Sequence, residues 1–321
     1  MYTKEVKDSI NVILQNKNGI EVYFVLKKGN RKFIKIANIA DEVGKKNTTS
    51  DEMLAGFCKV VQNTFDAYDD DTEILKLSSA DERKNGLYYY DLEELPEEML
   101  MMERVIEKNS EFETFDFRED NFAEIIAFIA VIGNAEDRFV LYKQQYSISL
   151  LKRDKYMLTP VPHSDRLKKV DQDILRVDFN FQFCLLNGRF YVSDVDKMEK
   201  ICGFHTLIVK EAMKSIDMIA SVGILENVEV LEDELENVTF ARKLTRVYKD
   251  SKILGKIPNK TIIDFTTKHK YFKKNPLKSS GDKFVLDTKK SKEIFLKLMN
   301  DDFLRSELTN EEYESLAKNG M

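Results

Sequence analysis

The chain has 321 residues, roughly twice the ~150 of an average domain, so it can bury two modest cores without disulfide or metal support. Its 43% hydrophobic and 33% charged residues exclude intrinsic disorder, a collagen-like chain and a disulfide scaffold, and three thinly spread cysteines, Cys58, Cys184 and Cys202, fit a reduced cytosolic protein. The net charge of −6 hides a segregation: Phe240 to Asn300 carries 17 Lys or Arg against 5 Asp or Glu, which is +12, and the remaining chain therefore carries −18.

In chain order, Lys4 to Gln15 alternates charged with apolar residues, which predicts an amphipathic helix rather than a signal peptide. Ile20 to Leu26 and Phe33 to Ile39 flank Lys28-Gly29-Asn30-Arg31, the pattern of a hairpin. Thr49 and Ser50 are possible caps for a helix running to Tyr68. Strands are expected at Ile74 to Leu77 and Leu87 to Tyr90, and Pro96 opens a helix reaching Glu107. This acidic N-terminal α+β module is taken as residues 1–112.

The second domain, 113–321, is expected to hold its own sheet. It begins with Ile125 to Ile132, turns at Gly133-Asn134, returns through Arg138 to Lys143 and continues past Ser147 to Leu151. Phe179, Phe181 and Phe183, then Asn187-Gly188 and Phe190 to Val192, predict a hairpin with a type I′ turn. Asp196 to Leu225 reads as one helix with Ile201, His205, Ile208, Ala212, Ile216, Ile219 and Ala220 on its apolar face. A short strand at Lys283 to Leu286 and helices at Lys289 to Met299 and Glu311 to Ala317 complete an α+β fold. No stretch is long and apolar enough to cross a bilayer, since Ile125 to Gly133 is about half of the ~18 residues required.

The basic region, about 238–300, is the sharpest functional signal. If Val238 to Lys256 is one helix, Arg242, Arg246, Lys249, Lys252 and Lys256 form a cationic stripe with Lys243 nearby, opposite Phe240, Ala241, Leu244, Val247, Tyr248 and Leu254. Lys268, Lys270, Lys273, Lys274 and Lys278 follow, interleaved with His269, Tyr271 and Phe272 as phosphate contact plus stacking would require. Fifteen of the 17 cations are lysines, which lack the bidentate fork that reads guanine, so sequence-independent contact to a polyanion is expected.

Other chemistry finds only partial residue sets. Cys184, Cys202 and His205 have partial zinc-ligand spacing but no fourth ligand, and His163 has no nucleophile beside it. Asp178, Asp194, Asp196 and Lys197 are the nearest approach to a Mg²⁺ nuclease site. Phosphate-loop and dinucleotide glycine patterns are absent, so no cofactor or metal is expected. A Mg²⁺-dependent nuclease and a protein-binding scaffold stay open beside the binding-module reading.

The segments Leu77 to Met99, Phe179 to Phe204 and Met299 to Gly320 resemble the B-component family of the bacterial Kiwa anti-phage defence system. The resemblance implies a cytosolic DNA-binding homodimer that works with a small multi-span membrane protein, KwaA, and interferes with phage DNA replication and late transcription. It brings no catalytic residue. In that setting Asp69, Asp70, Asp71, Glu93, Glu94, Glu97 and Glu98 are candidates for docking on a basic cytoplasmic rim of the membrane partner.

Overall fold

A computed structural model describes the chain apart from residues 18, 42–47, 79–85, 108–110, 147–149, 152–157, 163–164, 171–172, 306–307, 310 and 315–321. The expected α+β class is observed. Two compact units divide the chain: Met1–Leu75, Lys84–Tyr90 and Leu95–Cys202 form the first, and Lys76–Arg83, Asp91–Glu94 and Gly203–Met321 the second. The longest uninterrupted stretch of the second unit therefore begins at Gly203.

The elements before Gly203 are α1 (Thr3–Gln15), β1 (Ile20–Lys28), β2 (Arg31–Ile36), α2 (Thr49–Asp66), β3 (Leu75–Lys76), β4 (Tyr88–Tyr89), α3 (Glu97–Glu107), β5 (Ile125–Gly133) and β6 (Arg138–Gln144). They continue with β7 (Leu150–Leu151), β8 (Leu158–Pro160), β9 (Leu167–Lys169), β10 (Ile174–Leu175), β11 (Phe183–Leu186), β12 (Arg189–Val192) and α4 (Val195–Cys202). One eight-stranded sheet runs β2-β1-β5-β6-β11-β12-β4-β3, which corrects the expectation of two sheets. The reason is the pairing of β1 with β5 from Ile20↔Ile132 to Leu26↔Ile125, which makes strands before and after residue 112 neighbours.

On one face, Val6, Ile10 and Ile13 of α1 and Phe57, Val61 and Phe65 of α2 cover Ala130, Ile132, Phe139, Leu141, Leu186 and Tyr191 of the sheet. Each Val, Leu, Ile or Phe side chain among them contributes roughly 1.5–3 kcal/mol by leaving water. The N-cap of α2 is Thr48, one residue before the expected cap: it accepts from Asp51 N while Asp51 Oδ2 accepts from Thr48 N, both at 3.1 Å. The β11–β12 hairpin turns as expected, with φ of 50° at Asn187 and 71° at Gly188.

The second unit contains α5 (Phe204–Val222), α6 (Val238–Asp250), α7 (Asn259–Lys268), α8 (Lys270–Lys274), β13 (Lys278–Ser280), β14 (Lys283–Val285), α9 (Lys289–Met299), β15 (Phe303–Arg305) and β16 (Glu312–Glu314). Gly203, at φ 59°, divides the expected Asp196 to Leu225 helix into α4 and α5. The last expected helix is also corrected, because Glu312–Glu314 is a strand paired with β15. Ser215 Oγ donates to Leu244 O at 2.6 Å and Ser251 Oγ to Met299 O at 2.6 Å, tying α5 to α6 and the end of α6 to α9.

Candidate nucleic-acid interface

The N-terminus of α6 is capped by Asn237, whose Oδ1 accepts from Phe240 N at 3.2 Å. Its apolar side behaves as the periodicity predicts, with Phe240, Ala241, Leu244 and Val247 all buried. The helix ends at Asp250, because Ser251 takes an extended conformation and its Oγ accepts from Ile253 N and Leu254 N. Lys252 and Lys256 consequently lie off the helix, which corrects the five-residue stripe. Lys256 Nζ closes this turn by donating to Ser251 O at 2.7 Å.

Nor do the remaining cations of α6 form an open stripe. The Arg242 guanidinium lies 5.5 Å from the Phe204 ring centroid. Lys249 was expected to face outward, yet its side chain is only 15% exposed. Its Nζ donates to Asp91 O, sits 3.2 Å from Asp91 Oδ2 and is 4.0 Å from Glu211 Oε2. Asp91 is itself fixed by Ser78, which donates from N at 2.8 Å and from Oγ at 2.6 Å. Lys243 and Arg246 are half-buried and make no ion pair among the described residues.

The segment from α7 to α8 differs. Lys260, Lys268, Lys270, Lys273 and Lys274 are all exposed, as is Lys252. The interleaved aromatics face mostly inward: Phe272 is buried against Phe265, His269 and Phe303, and Tyr271 lies 4.7 Å from Phe303. His269 is buried too, and its Nδ1 accepts from Tyr271 N at 3.3 Å to cap α8. Phe272 thus serves packing and not stacking on a ligand, while Phe265 keeps 38% of its surface exposed. Lys278 is exposed but pairs with Asp287 at 2.5 Å.

The acidic candidates are mostly engaged. Asp70 pairs with Lys7 at 2.8 Å, and that hydrogen bond holds its carboxyl below the ordinary range. Asp69 and Asp71 are exposed. Glu97 and Glu98 both meet Lys32, at 2.9 and 2.6 Å, and Glu98 is buried, so it cannot meet a partner directly. Glu93 pairs with Lys214 at 2.5 Å and Glu94 with Lys210 at 2.8 Å. Lys210 and Lys214 escape a sequence reading centred on the apolar face of this helix; their signal is the four-residue spacing on its outer side.

The remaining candidates have other roles. Cys184 is fully buried on β11, and burial pushes its thiol well up; burial, then Glu98, does the same for Cys202. His205 Nε2 lies 3.2 Å from Leu235 O, and His163 lies outside the described residues. Asp178 pairs with Arg176 at 3.0 Å, while Asp194 accepts from Lys197 N at 3.0 Å and pairs with its Nζ. Among the described residues no three or more His, Cys, Asp or Glu side chains are grouped to hold a metal ion, and no helix is long and apolar enough to cross a membrane.

A family model described as Kiwa protein KwaB-like matches residues 123–309. Over 320 residues the chain is 31% identical to Kiwa protein KwaB of Escherichia coli O55:H7 (strain RM12579 / EPEC), covering 99% of this chain and 98% of that protein. No solved structure matches the chain.

Proposed function

Because the chain belongs to the Kiwa KwaB-like family, and so to an anti-phage defence system, we propose that it is the DNA-contacting component of that system. The observation that carries this reading is the set of exposed lysines Lys252, Lys260, Lys268, Lys270, Lys273 and Lys274, all within one +12 segment of a net acidic chain. Point-charge cations of this kind neutralise phosphates and do not read base edges, so binding is sequence-independent. Negative potential over the rest of the chain disfavours other contacts with the duplex. Bound to phage DNA, the protein interferes with replication and late transcription. It acts as a homodimer in the cytoplasm and reaches the inner membrane only through its partner KwaA, with the exposed Asp69 and Asp71 as the docking carboxylates.

Titration of labelled duplex at several salt concentrations, with and without Mg²⁺, tests the proposal. Six neutralised phosphates give a slope of log K against log salt of roughly −5, at ~0.9 per contact, with the duplex left uncut. A flat salt dependence, or strong preference for one sequence, refutes phosphate contact as its basis. Cleavage with Mg²⁺ establishes the nuclease alternative instead.

A further inference from the structure

Residues 91–94 join β4 to α3 but pack within the second compact unit, against α5 and α6. Three carboxylates in this short segment each take a lysine. Asp91 takes Lys249 of α6, Glu93 takes Lys214 of α5 at 2.5 Å, and Glu94 accepts from Lys210 of α5 through both oxygens at 2.8 Å. Lys210 and Lys214 are one helical turn apart on the outer side of α5, and Glu211 reaches across to Lys214 at 2.8 Å. A row of acidic side chains thus covers a row of lysines much as consecutive phosphates would.

The two ends of this segment are held differently. Asp91 and Lys249 are only 10% and 15% exposed, and Ser78 fixes both carboxylate oxygens of Asp91. Breaking that contact would leave charge buried. Glu93 and Glu94 are 65% and 57% exposed, and Lys210 is 56% exposed. Ion pairs in water of this kind contribute little and weaken with salt, so a polyanion with many charges displaces them.

We infer that Asp91 to Glu94 is an acidic strap, anchored at Asp91, whose tip masks a second phosphate-binding patch formed by Lys210 and Lys214 until a nucleic acid displaces it. This rests on the DNA-binding reading. The strap lowers affinity for isolated phosphates while leaving a long duplex able to compete, because only a multivalent ligand supplies enough contacts to lift it.

The test compares the full-length Glu93→Gln/Glu94→Gln variant with Glu232→Gln/Asp233→Asn, an equal charge change at exposed residues of the same unit. Anisotropy with a labelled mixed-sequence duplex should show the strap variant binding about fivefold tighter than wild type, and the control within about twofold. Adding Lys210→Ala/Lys214→Ala should remove the gain. A strap variant no tighter than the control, or a gain that survives loss of both lysines, overturns the strap while wild-type binding leaves the DNA reading standing. If no variant binds duplex even at low salt, both fall. Asp91 is left untouched to preserve the buried anchor, and Glu94→Gln alone, with a gain of about twofold, gives the same answer should the double variant melt early.

Discussion

The cations of α6 and those of the α7–α8 segment look alike in the sequence and differ in the fold. In α6, Arg242 lies over Phe204 and Lys249 is enclosed between Asp91 and Glu211. Around α8, Lys268, Lys270, Lys273 and Lys274 ring a buried nucleus of His269 and Phe272 and keep their ammonium groups in water. A basic helix is open to a polyanion only where no carboxylate from elsewhere in the chain has reached it first. Composition locates the charge, and long-range contacts decide which charges remain available.

The largest expected effect comes from breaking the enclosed end of that comparison. Lys249→Ala leaves Asp91 buried without a counter-charge, while Glu211 keeps Lys214, and should cost about 3 kcal/mol in urea unfolding. A loss under about 1 kcal/mol would mean that Lys249 is as well solvated as Lys273. Reversing Lys268, Lys270, Lys273 and Lys274 together to Glu should instead change stability by less than about 0.5 kcal/mol per site while weakening duplex binding by about a hundredfold. The salt slope should become shallower by about 3.6, and an unchanged slope would show that these lysines touch no phosphate.

A smaller effect is expected at Arg242→Ala, where loss of the ring contact and of the buried side-chain stem should lower stability by about 1 kcal/mol. Equal destabilisation by Lys273→Ala would erase the distinction between the two regions. The smallest effect is in pH. The Lys214 hydrogen bond holds the Glu93 carboxyl below its ordinary range. Such a group contributes stability that is fully present above its ordinary pKa and lost as pH falls through the depressed value, so the strap tip loosens only in acid. An NMR titration of Glu93 should give a midpoint below the usual ~4.3, and a midpoint at or above it would place Glu93 away from Lys214.

What could be read from the sequence follows the range of the interaction that fixes it. The Asn187-Gly188 turn is legible because two adjacent positive φ angles select those residues locally. Buried Phe240, Leu244 and Val247 are legible because α6 keeps one period over its length. Pairing of β1 with β5 is not, since both runs are apolar and nothing local says that strands a hundred residues apart are neighbours. The same holds at the site. Exposed Lys268 to Lys274 follow from a dense charge run, whereas the enclosure of Lys249 depends on Asp91, which lies 158 positions away.

The place of β5 between β1 and β6 bears on how the protein reaches this state. Strand β6 follows closely and can zip onto β5 at once, but the other edge of β5 stays unpaired until it finds residues 20–26, made long before. Closing so large a loop is slow, and contacts of this separation lengthen folding times. Until it closes, IIAFIAVIG presents one bare, uncharged edge of the kind that pairs with other chains. During rapid synthesis, misfolding and self-association should therefore start at Ile125–Gly133, and an early grip by β1 is what protects the nascent chain.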